Sequence, residues 1–300
     1  MTETFRGIYA IQYSTFREDG YFDEPGFEAQ VDFTIAAGAH GIVWPVMASE
    51  FTVLTEAERR RTTELLLART AGRIPVVIGV ATVWTESSVA LAQHAQDHGA
   101  DAIISLPPYV QKPTRGQAFT FYRALAEAVD LPLFLQNCGG AMGMAFSGEE
   151  IAGMVAEIPG IQYVKEETSP MGPSISRVLA ACGNSIKGVF AGGACRELPR
   201  ELERGAAGNM SSAALSDIFA EMYDRYVAGD RDGAREIQFR LLTYLNLQSH
   251  YGHDLVREVL RRRGIIASTC RRFGANKQMD EQDVEELDYA WEQLQPYRRV

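Results

Sequence analysis

Lys165 closes a short, mostly apolar run at 161–165 and is followed at once by the polar residues Glu166, Glu167, Thr168 and Ser169. A lysine at the end of such a run has two chemical readings. Its stem covers core while the ammonium reaches water, as for most lysines, or its amine is held in a closed site to attack a carbonyl carbon. The groups that share its site decide between them. Polar or small residues stand wherever other apolar runs stop: Ser14 and Thr15, the segment Met47-Ala48-Ser49-Glu50, Tyr109, Gln136 and Asn137, Gly192 and Gly193, and Ser211 and Ser212. Glu167 is either a base for an acidified C–H bond or the solvated partner of a cation. No set of His, Asp and Glu shows metal-ligand spacing, so no metal is expected, and Schiff-base chemistry needs none.

These residues meet only if the elements carrying them converge. The chain alternates strand-like runs (7–12, 41–44, 75–79, 102–106, 132–136, 161–165, 185–190 and 207–210) with helical runs (25–37, 56–71, 86–98, 117–129, 148–156, 173–182, 196–204 and 213–228). Thr55 followed by Glu58 forms a capping box at the head of the second helix. Eight strand–helix units imply a parallel sheet covered by helices, and eight fit a closed (β/α)8 TIM barrel. An open doubly wound sheet is the rival, but no GxGxxG follows the first strand. Beyond 228 the strands stop, and 231–247, 254–263 and 280–294 read as helices. The expected division is a catalytic barrel at 1–228 and a helical extension at 229–300 packed on it. In such a barrel the strand C-termini share one mouth, where desolvation favours the neutral, nucleophilic form of an amine.

Composition removes other classes. The chain has 300 residues and a formal charge of -10, which argues against a nucleic-acid or anionic-membrane partner and leaves a small anionic substrate open. Four widely spaced cysteines with no CxxC pair fit reduced thiols in a cytoplasmic protein. Residues 1–6 lack the basic and apolar run of a signal peptide.

Several segments carry a family resemblance in their order and spacing: Gly38-Ala39-His40-Gly41-Ile42, Leu54-Thr55-Glu56-Ala57-Glu58-Arg59, Gly72 to Gly79, Gly99-Ala100-Asp101-Ala102, Pro107-Pro108-Tyr109, Val164-Lys165-Glu166 and Gly205-Ala206-Ala207-Gly208. Over nearly its full length the chain resembles the pyruvate-dependent aldolases and dehydratases typified by dihydrodipicolinate synthase and N-acetylneuraminate lyase. The resemblance implies that Lys165 forms a Schiff base with a 2-oxo acid, that no separate cofactor is needed, and that the chain assembles as a homotetramer.

The departures from that family pattern carry the finer expectation. Val46-Met47-Ala48-Ser49-Glu50 replaces a Gly-Thr-Thr-Gly-Glu loop, so substrate carboxylate binding falls to the Met47 and Ala48 amides with the Ser49 hydroxyl. Gln136 stands where many members have a tyrosine that moves protons during carbon–carbon cleavage, and a carboxamide has no titratable proton near neutral pH. Val110 follows Tyr109 in place of a second tyrosine. Dehydration dispenses with that base, because the departing C4 hydroxyl is protonated rather than deprotonated. Gln136, Ser49-Glu50, Lys165-x-Glu167-Thr168 and Ile265-Ile266-Ala267-Ser268 are most similar to the L-2-keto-3-deoxyarabonate dehydratase branch. The expectation is a hydro-lyase acting on a 2-keto-3-deoxy sugar acid. Lys165, Gln136 and Glu167 are its catalytic groups; Met47, Ala48, Ser49, Tyr109, Asn137, Gly192 and Ser211 bind substrate. The alternatives are a pyruvate-releasing class I aldolase, a dihydrodipicolinate synthase-like enzyme, or a non-catalytic 2-oxo-acid-binding relative. Glu50 is expected to orient its loop, and His250 and His253 to lie at a surface or interface.

Overall fold

The computed structural model describes residues 4–274 and 277–300, so part of the N-terminal segment read above lies outside the described residues. Eight parallel strands close into a barrel in sequence order: β1 (Gly7–Ile11), β2 (Gly41–Trp44), β3 (Val76–Gly79), β4 (Ala102–Ser105), β5 (Leu133–Asn137), β6 (Ile161–Glu166), β7 (Gly188–Ala191) and β8 (Gly208–Ser212), with β8 pairing back onto β1. Helices α1 (Glu24–Ala36), α2 (Glu56–Thr70), α3 (Thr85–Asp97), α4 (Arg115–Ala128), α5 (Gly148–Glu157), α6 (Met171–Cys182), α7 (Leu198–Glu203) and α8 (Ser216–Val227) alternate with them. Three more follow: α9 (Arg231–Tyr251), α10 (His253–Arg262) and α11 (Glu281–Leu294).

Among the boundaries that differ from the expectation, two have identifiable reasons. Helix α4 starts two residues early because Thr114 accepts from the Gln117 amide while Gln117 reaches back, a Thr-x-x-Gln capping box. Strand β7 starts late because Gly183–Ser185 forms a single helical turn first. The Thr55–Glu58 box caps α2 as expected.

Strand side chains alternate, so each strand sends every second residue to the axis. Tyr9, Ile11, Val43, Val77, Ile104, Phe134, Tyr163, Phe190 and Met210 form that inner cluster. Phe134 and Tyr163 stack there at 4.5 Å between ring centroids, with Phe5 stacked on Tyr163 at 5.2 Å. One step further along the same faces come Gln136 on β5 and Lys165 on β6, directly paired in register. A larger cluster fills the layer between sheet and helices. A third joins α8 to the last three helices through Ile218, Phe219, Leu241, Tyr244, Val259 and Leu287, all essentially inaccessible. Each such buried aliphatic or aromatic side chain stabilises the fold by about 1.5–3 kcal/mol. Among the described residues, no helix is long and apolar enough to cross a membrane. All four cysteines are unpaired.

The expectation that no His, Asp and Glu set has metal-ligand spacing is corrected on the outer ring. His94 of α3 and His98, which caps that helix, meet Glu64 of α2, their ligand atoms lying within 4.8 Å of one another. Four residues apart on one helix is such a spacing; the third member comes from a neighbouring helix that no local pattern discloses.

One buried acid makes a stability prediction. Glu201 on α7 is only 2% exposed, and burial raises its carboxyl to about 8, with the Asn209 amide opposing at 3.0 Å. A folded-state pKa above the unfolded value of 4.5 means that the folded chain binds more protons between the two. The stabilisation is therefore complete below about 4.5 and is lost as pH rises through about 8. Glu201→Gln, which mimics the neutral acid, should flatten the fall in urea-melt stability across that window and leave the variant the more stable at its upper end. A wild-type-like slope in the variant would refute this assignment.

Candidate active site

Strand β6 carries its side chains in strict alternation through its end, and the site follows from that. Lys165 and Glu167 point to the barrel mouth, while Glu166 points outward. Glu166 is fully buried and accepts from the Asn137 amide at 2.7 Å and from the Thr168 N–H at 2.7 Å, which fixes the strand end. Lys165 is 2% exposed, and its Nζ lies 3.1 Å from Glu167 Oε1. The other carboxylate oxygen, Oε2, accepts from Gln136 Nε2 at 2.7 Å. A carboxylate only accepts, so Gln136 turns its NH2 group toward it. The three expected catalytic residues thus form one linked group. Glu167 is held between an ammonium and a carboxamide, with each oxygen fixed by a different partner.

Gly192 at the end of β7 makes room for that carboxylate. A Cβ there would sit 2.5 Å from Glu167 Oε1. Gly192→Ala should therefore displace Glu167, and a displacement of about 1 Å lowers kcat by roughly 10²-fold. Unchanged kcat with an unchanged circular dichroism spectrum would contradict this placement.

The group opens into a cavity of about 460 Å³ whose wall includes Met47, Ala48 and Ser211, together with Tyr13, Arg196 and His253. Met47–Ser49 forms a single helical turn, and the first N–H groups of such a turn have no acceptor within it. Glu50, in the left-handed region at φ 56, ends that turn. It receives Arg257 and Arg271 from the C-terminal segment, Arg271 Nη2 at 2.8 Å. Arg257 is 1% exposed and also donates to the Ser14 carbonyl at 3.2 Å. Glu50 thus ties the loop after β2 to the helical tail.

Three expected substrate contacts are placed elsewhere. Ser49 is fully buried; its Oγ accepts from the Val46 N–H at 3.1 Å, so it closes its own turn rather than facing the cavity. Asn137 is fully buried and spans to Phe146, accepting its N–H at 2.7 Å and donating to its carbonyl at 3.1 Å, which braces the loop after β5. Tyr109 packs edge-on against Phe51 at 5.5 Å and lines a separate depression with Arg59 and Thr82. Burial raises its hydroxyl pKa, with Arg59 opposing.

Sequence reading missed Tyr13, Arg196 and His253 on this wall. Tyr13 continues the inward alternation of Tyr9 and Ile11, a signal that was available in the pattern. His253 opens α10 and stands 3.4 Å from the Tyr13 hydroxyl, instead of at an outer surface. Burial lowers its imidazole below the ordinary histidine range, with Glu50 opposing. Nothing local in the sequence aims it at the mouth; the pointer is the break between α9 and α10 at Gly252. Burial also pushes the Tyr13 hydroxyl well above its usual range and the Cys138 thiol up to about 12. Cys138 is thus protonated and no rival nucleophile.

A family model described as the dihydrodipicolinate synthetase family matches residues 4–288. A 4-hydroxy-tetrahydrodipicolinate synthase of Desulfotalea psychrophila is 32% identical over 243 residues, 80% of each chain. An L-2-keto-3-deoxyarabonate dehydratase of Azospirillum brasilense is 29% identical over 271 residues, 89% of this chain and 87% of the relative. Among solved structures, a dihydrodipicolinate synthase from Rhodopseudomonas palustris superposes with a TM-score of 0.87 at 24% identity, covering 98% of this chain and 99% of that one, a likeness of fold.

Proposed function

Because the chain belongs to the dihydrodipicolinate synthetase family, whose members are Schiff-base lyases, we propose that it dehydrates a 2-keto-3-deoxy sugar acid of the L-2-keto-3-deoxyarabonate type. The observation that carries this reading is the Lys165–Glu167–Gln136 group: a nucleophile and a base in contact, with a carboxamide beside them. The Lys165 amine attacks C2 and expels the carbonyl oxygen as water, leaving an iminium. That cation acidifies C3–H, and Glu167 takes the proton to give an enamine. The enamine electrons expel the C4 hydroxyl, which leaves as water with the proton from Glu167. Shift of a C5 proton and hydrolysis from Lys165 release a 2-oxo-semialdehyde, so substrate becomes product plus one water. The amides of Met47 and Ala48 hold the carboxylate, and Ser211 lines the wall. Gln136 fixes Glu167 and does not titrate. Assembly as a cytoplasmic homotetramer belongs to the same proposal.

One observation favours a second reading, carbon–carbon cleavage or formation with pyruvate. Tyr13 puts a phenolic hydroxyl on the cavity wall, and the Desulfotalea psychrophila relative is a synthase. Product analysis separates the two. With L-2-keto-3-deoxyarabonate, a semialdehyde dehydrogenase coupled to NADP reduction should report product at the rate of substrate loss, while lactate dehydrogenase detects no pyruvate. Pyruvate formed in step with substrate loss would replace the dehydratase by an aldolase.

A further inference from the structure

We propose that Glu64, His94 and His98 form a binding site for a divalent transition-metal ion of the zinc class on the outer face of the barrel, clamping α2 to α3. His94 lies in the last turn of α3 and His98 caps that helix four residues on, which brings the two rings to one side. Their rings sit 4.2 Å apart between centroids. Glu64 on α2 faces both: its Oε1 is 3.4 Å from His94 Nε2 and 3.9 Å from His98 Nε2. A tetrahedral ion bound at about 2.0–2.1 Å sets its donor atoms about 3.3–3.4 Å apart. Glu64 Oε1 and His94 Nε2 therefore already stand near the edge length of a coordination tetrahedron, and His98 Nε2 has to close on Glu64 by about half an ångström, all three ligand atoms lying within 4.8 Å of one another.

A second observation points the same way. His98 Nδ1 lies 2.8 Å from the His94 carbonyl, an acceptor, so the proton of a neutral ring sits on Nδ1 and donates there. The Nε2 lone pair is then free and aimed at the cluster, the arrangement in which a hydrogen bond to the far nitrogen orients a metal-binding imidazole. Neighbouring arginines do not occupy the carboxylate: Arg60 is paired with Glu56 and Arg61 with Glu24. Among the described residues, the ion-pair partners of Glu64 are these two histidines. His94 is largely covered, while His98 and Glu64 are partly open, which leaves the solvent side for water as a fourth ligand. Two nitrogens and one carboxylate oxygen suit zinc, cobalt or nickel better than magnesium or calcium, which take oxygen ligands. None of the three residues lines the cavity above Lys165, so this inference is independent of the reaction proposed for that site.

The test is calorimetric titration of the untagged full-length chain with ZnCl2 after chelator treatment, repeated on His98→Ala, Glu64→Gln and Cys270→Ser, each checked by circular dichroism. Cobalt substitution reads the geometry. Expected are one zinc per chain, a ligand-field spectrum of tetrahedral cobalt, a metal-dependent rise in Tm, and affinity at least about tenfold weaker in His98→Ala and Glu64→Gln, with Cys270→Ser unchanged. Absent saturable binding, equal affinity in wild type and His98→Ala, or loss of binding only in Cys270→Ser would each overturn the proposal. The carboxamide variant keeps the shape of Glu64, so its result does not depend on the fold tolerating a truncation.

Discussion

Lys165→Ala is expected to lose turnover of a 2-keto-3-deoxy sugar acid by at least about 10⁴-fold, the scale on which enzymes lose rate when a covalent nucleophile is removed. Among the described residues that line the cavity, Lys165 is the one primary amine; Arg196 is a guanidinium that stays charged. Lys165 is also 2% exposed and pairs with Glu167. Its removal leaves a carboxylate without its cation and an unfilled space, both of which destabilise. Lys165→Met restores most of the volume, and it should fold better than the alanine variant while remaining equally inactive. Measured kcat together with Tm separates the two effects. Recovered activity in the methionine variant, which has no amine, would refute the nucleophilic role.

Glu167→Gln should have the second largest effect and a different signature. The carboxamide keeps the size of the side chain, and its one oxygen can still accept from Lys165 while Gln136 turns its own oxygen to the new NH2 group, but it cannot take the C3 proton. Loss of a positioned general base lowers kcat by about 10²–10⁴-fold. Schiff-base formation requires only Lys165 and should survive, so the variant is expected to accumulate the adduct of unreacted substrate. Single-turnover quench with borohydride measures that accumulation. A variant with full kcat, or one that no longer forms the adduct, would show that Glu167 is not the base at C3.

The fold and the linked group were legible because both follow from period-two alternation. Eight apolar runs with helices between them specify the barrel, and an inward Lys165 requires an inward Glu167 two residues on and an inward Gln136 in register beside it. Tyr13 obeyed the same rule and was passed over for the more polar Ser14, whose hydroxyl instead donates to the Ser49 carbonyl. Ser49, Asn137 and Tyr109 stand near strand ends yet turn away from the cavity, because polarity at a strand end does not fix orientation. Loop backbone needs buried partners of its own, and Ser49 and Asn137 supply them. The contributions of the tail, His253 to the wall and Arg257 to Glu50, depend on helix docking between residues more than 200 apart. No local spacing encodes that. The Glu64–His94–His98 cluster is intermediate: its helical pair was visible, its third member was not.

The central claim, carbonyl capture by Lys165 followed by loss of water, is tested most directly by borohydride reduction during turnover of L-2-keto-3-deoxyarabonate and peptide mass spectrometry. The account predicts a reduced adduct confined to the peptide bearing Lys165, present at the mass of the intact substrate and at a mass one water lighter, with only the heavier form in Glu167→Gln. No adduct at Lys165, or an adduct there with the mass of pyruvate alone, would contradict it.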